Sequence, residues 1–255
     1  MPLLLVKFLA DGHESPVERY AIIERSPGDT ANEGTVEGLH KGLSLDSLCT
    51  STLQATFESI PNDKEAMVCS LLATMTLAIL PLSPSAIADL TRLRVSDVMF
   101  VLESIQPLFR LQGPDQHVYP FHKLLSDALT SPTRCADKRF YLPPEKFHSE
   151  IALNCLNLMS EAFGDSLLLQ NRTTDQKVEY LAGKAALNYA CAYWHIHLVE
   201  SRGDATALLS SLRYFLEENL TAWLEVLGVL KAPTDPTFVL TSTTSWLREV
   251  YPFLF

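Results

Sequence analysis

Nowhere in this chain do eighteen apolar residues run together without a charge, so no segment reads as a membrane-spanning helix. The short apolar start, MPLLLVKFLADG, is broken by Lys7 and has no basic region before it, which makes it a poor secretory signal. Cysteine is scarce and poorly spaced for chemistry. The five residues Cys49, Cys69, Cys135, Cys155 and Cys191 form an odd set without a C-x-x-C pair. That spacing argues against a structural zinc site and against a secreted disulfide framework, and it points to buried, reduced thiols in a cytoplasmic protein. Basic residues are also short. Twenty Lys and Arg face 30 Asp and Glu, a net charge of −10, which disfavours binding to nucleic acid or to an anionic membrane.

Catalytic signatures are missing too. There is no G-x-S-x-G, H-E-x-x-H or G-x-G-x-x-G. Gly183-Lys184 resembles the tail of a phosphate-binding loop, but Val178 stands where the first glycine belongs and Ala185 where magnesium needs a hydroxyl. His195 and His197, two apart on a helix, point about 200° away from each other and cannot share one metal ion from that geometry. His197 is expected to face inward with a hydrogen bond and His195 to be more exposed. Asn171-Arg172-Thr173 and Asn219-Leu220-Thr221 are glycosylation sequons, which matter only in a secreted chain.

What is present is a chain of 255 residues, 47% hydrophobic, long enough for one large core or two smaller ones. Residues 2–10 read as an element cut short. Pro16–Glu24 reads as a helix capped by Ser15, and the Gly-rich stretch that follows, to residue 43, reads as a flexible linker. From Ser44 the apolar spacing turns helical. A connecting helix uses Leu45, Leu48, Leu53 and Phe57 and ends at Pro61. Asp63 is placed to cap a second helix running through Ile79 to Pro81, and a short helix follows over about Ser85–Leu93. Ser96 is placed to cap a third, which Pro107 stops. PLFRLQ and HVYPFH around Gly113-Pro114-Asp115-Gln116 form a hairpin signal, and a helix over Phe121–Leu129 follows.

Three helices and a hairpin are the order of a winged-helix module, here spanning 63–132. The remainder, 140–255, is repeatedly amphipathic: Phe147, Ile151, Cys155, Leu158 and Ala162 form one stripe, and Ala186, Tyr189, Ala190, Tyr193 and His197 a second. Leu212, Leu216, Trp223, Leu227 and Leu230 form a third. The expected fold class is therefore mainly α, a winged-helix module with a small β-hairpin wing followed by an α-helical domain. As a DNA-reading element the third helix, about Ser96–Gln106, has the wrong charge: it carries Asp97 and Glu103 and no Lys or Arg.

Several stretches, in order, resemble one family. They are LLLVKFLADGHESPVERYAII, LDSLCTSTLQATF, LLATMTLAILPLSPSAIADLTRLRVSDVMFVLESIQPLFRL, FHKLLSDALTSPTRCADKRFYLPPEKFHSEIALNCLNLM, LNYACAYWHIHL and YFLEENLTAWLEVLGVL. From about Leu5 to Leu230 the chain is similar to the segment after the nucleotide-binding core of fungal NACHT proteins. These are signal-transduction ATPases with numerous domains, often ending in WD repeats. The resemblance implies that residues 1–43 are a remnant of the end of the NACHT core plus a linker. It also implies a role for His122. In the family's pattern F-H-x-S-F-x-[DE]-[FY] the histidine senses the β-phosphate of ADP. Here Phe121, His122 and Asp127 match, Leu124-Leu125 replace Ser-Phe, and Ala128 replaces the aromatic residue.

The family's phosphate-binding loop and magnesium-handling strand would precede residue 1, so no enzyme activity is expected of this chain. ADP or ATP would be bound only with an upstream NACHT core, and no metal site is expected. The function implied is a non-catalytic regulatory or interaction fragment, whose partner would be a NACHT core or a second copy of itself. Alternatives are an incomplete gene model of a complete nucleotide-hydrolysing switch and, less favoured by charge, a winged-helix DNA-binding protein.

Overall fold

A computed structural model of the chain describes residues 45–252, apart from 107, 123, 136, 165–172, 203–205 and 233. The apolar run at 2–10, the expected Pro16–Glu24 helix and the Gly-rich linker lie outside the described residues.

Helix α1 (Leu45–Ser59) turns Leu53, Thr56 and Phe57 inward. Beyond Pro61 a tight 3₁₀ turn, Asn62–Lys64, leads into α2 (Glu65–Leu77). Asp63 lies inside that turn and does not cap α2; the capping position belongs to Lys64, which makes no side-chain bond there. Nor does α2 reach Ile79. Its last residue is Leu77, Ala78 adopts ψ 134°, and the Ile79 N–H leaves the helical ladder to donate to Tyr189 Oη at 3.0 Å. A long-range partner has replaced the carbonyl four residues back.

Helix α3 (Pro84–Thr91) starts one residue before the expected Ser85 and ends two before Leu93. Ser83 Oγ accepts from the Ala86 N–H at 3.2 Å, and Pro84, with no N–H to lose, occupies the first turn. Arg92 closes it in the left-handed region at φ 58°. Helix α4 (Val95–Ser104) has Arg94 at its capping position, not the expected Ser96, which is an exposed residue of its first turn. The carboxylate of Asp97 instead holds Arg94 through Nε at 2.8 Å and a terminal nitrogen at 3.0 Å.

Strands β1 (Phe109–Gln112) and β2 (His117–Pro120) pair antiparallel, with Phe109 opposite Pro120 and Gln112 opposite His117. The turn between them needs left-handed backbone, which Gly113 supplies at φ 81° without steric cost. The Val118 N–H donates to Leu82 O at 2.8 Å, so the α2–α3 link is bonded to the hairpin as well as to Tyr189. Helix α5 (Leu124–Thr130) follows.

The later helices are α6 (Pro144–Gly164), α7 (Thr174–Ala182), α8 (Ala185–Glu200), α9 (Thr206–Tyr214), α10 (Leu220–Leu230) and α11 (Pro236–Val250). The fold is therefore mainly α-helical, with a small two-stranded antiparallel hairpin between the early helices and a later helical region, as the sequence pattern leads one to expect.

One expected helix is split. Phe215–Asn219 forms a widened π-type turn between α9 and α10. It buries Phe215 where the amphipathic pattern nominates Leu216, and it turns Asn219 inward, where Nδ2 donates to Ser160 Oγ at 3.3 Å. That burial also removes the Asn219 sequon from the surface.

Helix α8 is the axis of the later region, packed by α3, α6, α7, α10 and α11. Surrounded in this way, it buries residues on every side, from Tyr189 and Ala190 to Trp194, His195 and His197. Trp194, Phe215 and Trp223 meet edge-to-face with centroids 5.3 to 6.2 Å apart. Such geometry adds about 0.5–1.5 kcal/mol per pair to the burial itself. Helix α6 contacts α2, α3 and α8, so one apolar cluster runs from Leu53 through Leu72 and Leu156 to Trp223 and Trp246. No helix among the described residues is long and apolar enough to cross a membrane.

Candidate functional site

Two places concentrate polar chemistry. The first is the stretch from Tyr119 to Phe140, which leaves the hairpin and enters α6. The Phe121 N–H donates to Leu108 O at 2.7 Å, anchoring the chain under β1. His122 follows, exposed at the head of α5. Its Nδ1 accepts from the Leu124 N–H at 3.1 Å, and its carbonyl accepts from the Leu125 N–H at 3.0 Å. With Nδ1 accepting, the neutral ring carries its proton on Nε2. His122 thus serves α5 as a local backbone partner, with Nε2 as its second nitrogen. Asp127, the acidic position of the pattern, is exposed and pairs with Arg134 at 3.8 Å.

The far end of this stretch is knotted by Asp137. Its carboxylate accepts from Nε and a terminal nitrogen of Arg139, from the Arg139 backbone N–H at 3.0 Å, and from Gln54 Nε2 of α1 at 3.4 Å. The Arg139 guanidinium above all, with its backbone N–H, holds the Asp137 carboxyl well below the usual carboxylate range. Arg139 also lies over the Phe140 ring, which packs on Phe57 of α1 at 4.9 Å.

The second place is a buried chain of hydrogen bonds between α6 and α8 that the sequence pattern does not disclose. Tyr189 Oη lies 2.7 Å from His197 Nε2, and His197 Nδ1 lies 2.8 Å from His148 Nδ1. The Ile79 N–H donates to the same Tyr189 Oη. His197 is fully buried, His148 half-buried. Burial, reinforced by His148 and then His195, pushes His197 down to about 3 from its ordinary value of 6.5. Burial lowers His148 as well, against the opposing pull of Glu200 and Glu145. Burial raises Tyr189, with Cys155 as a second cause. All three side chains are therefore neutral at pH 7.

His195, expected to be the more exposed of its pair, is also buried at 6% exposure, because α11 covers the face of α8 it occupies. Its Nδ1 lacks a partner among the described residues, its pKa is lowered by burial, and its ring meets Phe238 edge-on at 6.3 Å. His148 could have been suspected only from its position one turn before Ile151 and Ala152 on the buried stripe of α6.

None of the five cysteines is joined in a disulfide, and four of them are buried. Burial raises the thiols of Cys69, Cys135, Cys155 and Cys191, which suits packing and not nucleophilic attack. Cys49 and Cys135 line a small cavity between α1 and α5 together with Leu53, Leu129 and Phe140. No group of three His, Cys, Asp or Glu side chains among the described residues is arranged to hold a metal ion. On α4 the exposed residues include Ser96, Phe100 and Glu103, and the adjacent Arg94 is engaged by Asp97.

No protein-family model, curated protein or solved structure matches this chain. Its chemistry has to be argued from its own residues.

Proposed function

We propose that this chain is a non-catalytic regulatory and docking piece of a NACHT-type signalling switch. Its winged-helix order and helical region would pack against a nucleotide-binding core carried elsewhere, and His122 would contribute to sensing ADP there. The supporting observation is His122 itself. It follows the hairpin directly, heads the next helix, stands exposed, and has its ring oriented through Nδ1 by the Leu124 N–H. That orientation leaves an Nε2–H donor for a phosphate oxygen, and such a charge-assisted bond would favour the nucleotide-bound packing. The burial of the catalytic-type side chains elsewhere fits a scaffold: the histidines and thiols of α6 and α8 are used in packing.

The test is reconstitution. Purified chain is mixed with a fungal NACHT core and ADP, and association is followed by calorimetry. The expected result is a complex whose ADP dissociates faster when His122 is changed to Ala. Absence of any association overturns the docking reading, and unchanged ADP release in the His122→Ala complex overturns the sensor reading.

A further inference from the structure

The buried chain between α6 and α8 has three links: Ile79 N–H to Tyr189, Tyr189 to His197, and His197 to His148. Its polarity follows from its ends. A backbone N–H can only donate, so Tyr189 Oη accepts from Ile79. The single hydroxyl proton of Tyr189 then serves His197 Nε2, which makes His197 the Nδ1–H tautomer, donating to a bare His148 Nδ1. His148 carries its own proton on Nε2. Three donors fill three links, with each proton used once.

A fourth proton cannot be accommodated. If His148 gains one at Nδ1, two N–H donors face each other across 2.8 Å. If His197 exchanges its proton to Nε2 to relieve that clash, Tyr189 Oη has to accept from His197 as well as from Ile79, and its displaced hydroxyl proton then has no acceptor among the described residues. In any arrangement one buried donor is left without an acceptor. His148 is the end where a proton enters, since it is half-buried and is the member that feels Glu145 of α6 and Glu200 of α8. The other titratable groups facing the chain are His195 of α8 toward His197, and Cys155 of α6 and Tyr193 of α8 toward Tyr189. The α2–α3 link contributes the Ile79 backbone.

We propose that His148, His197 and Tyr189 form an acid-sensitive latch: uptake of a proton at His148 breaks the His148–His197 bond and loosens the hold of α8 on the α2–α3 link at Ile79. The link is the segment that also bonds the hairpin through Leu82 and Val118, so the latch connects the acidity of the surroundings to the part of the chain that carries the wing. The step is a simple protonation. One proton from solvent is bound, imidazole becomes imidazolium, and the ring swings toward Glu145 and Glu200. The proposal stands independently of the NACHT reading.

The experiment is imidazole and amide NMR on the full chain between pH 7.5 and 5. At pH 7.5 a slowly exchanging, downfield Nδ1–H of His197 is expected, with His148 protonated on Nε2 only. As the pH falls below 6.5 that resonance disappears, and by about pH 5.5 the Ile79 amide loses about tenfold of its protection factor. That is the factor one pH unit carries for one histidine free to titrate only when open. His148→Gln keeps an acceptor for His197 but cannot itself take up a proton, so its Ile79 protection should fall less steeply with pH than that of the wild-type chain, the remaining dependence coming from His197 and His195. Absence of the downfield resonance at pH 7.5, its persistence at pH 5, or unaltered Ile79 protection in the wild-type chain each overturns the proposal. Should His148→Gln fail to fold, the wild-type resonance decides alone.

Discussion

Tyr189 joins two parts of this molecule: its hydroxyl takes the Ile79 N–H and meets His197 inside the packed seam. Tyr189→Phe removes one oxygen and leaves a backbone donor and an imidazole nitrogen unpaired. At about 1–3 kcal/mol for a buried orphan, the expected loss is about 2 kcal/mol or more by urea denaturation. His195 predicts the reverse. Its buried Nδ1 has no partner among the described residues, so His195→Leu, of similar volume, should leave stability at pH 7.5 within about 1 kcal/mol of wild type. The variant should then gain on wild type as the pH drops below 6.5, because it no longer carries a group that burial keeps neutral. A loss that grows on acidification would refute this account.

Among the helices, the starts test how far local rules reach. Ser83 accepts the Ala86 N–H, so Ser83→Ala should cost about 1 kcal/mol. Ser96 reads equally well as a cap in the sequence, yet it lies inside the first turn of α4 and caps nothing. Ser96→Ala should therefore be nearly neutral, and parallel thermal melts of the two variants separate the cases. Equal destabilisation would mean that α4 starts two residues later than described. The π-type turn at Phe215–Asn219 shows the same limit. Leu212 and Trp223 lie where a regular helix puts them, but the widened turn exchanges Phe215 for Leu216 in the core. Cross-helix packing of Phe215 on Trp194 and Trp223 outweighs the ideal ladder.

Among the described residues α6 ties the early and later helices together, contacting α2, α3 and α8. Leu156 is fully buried there, and Leu156→Ala should cost about 2–5 kcal/mol. Because the apolar cluster is continuous, the loss should speed amide exchange in α2 and α8 together; a loss confined to the later helices would show two independent cores. Stability should also fall in acid. His148 and His197 have folded-state pKa values below 6.5, so their contribution is complete above pH 6.5 and is lost as the pH drops from there toward about 3. Each contributes a slope of at most about 1.4 kcal/mol per pH unit. A urea series from pH 7.5 to 4.5 measures it, and a flat profile would contradict the buried, neutral assignment.

The sequence by itself determined the class of elements and much of their order. Helical spacing of Leu53 and Phe57, proline at Pro61, and Gly113 in a turn between alternating runs act within a few residues, and such effects survive any tertiary arrangement. His122 at the head of α5 was legible for the same reason. The tertiary structure alone decided the relay. His148 and His197 are 49 positions apart, and Ile79 and Tyr189 are 110 apart. Only the packing of α6 and the α2–α3 link against α8 brings them within hydrogen-bonding distance. There the need to satisfy buried polar groups overrides local preference, ends α2 two residues early and turns two unremarkable histidines into a matched pair.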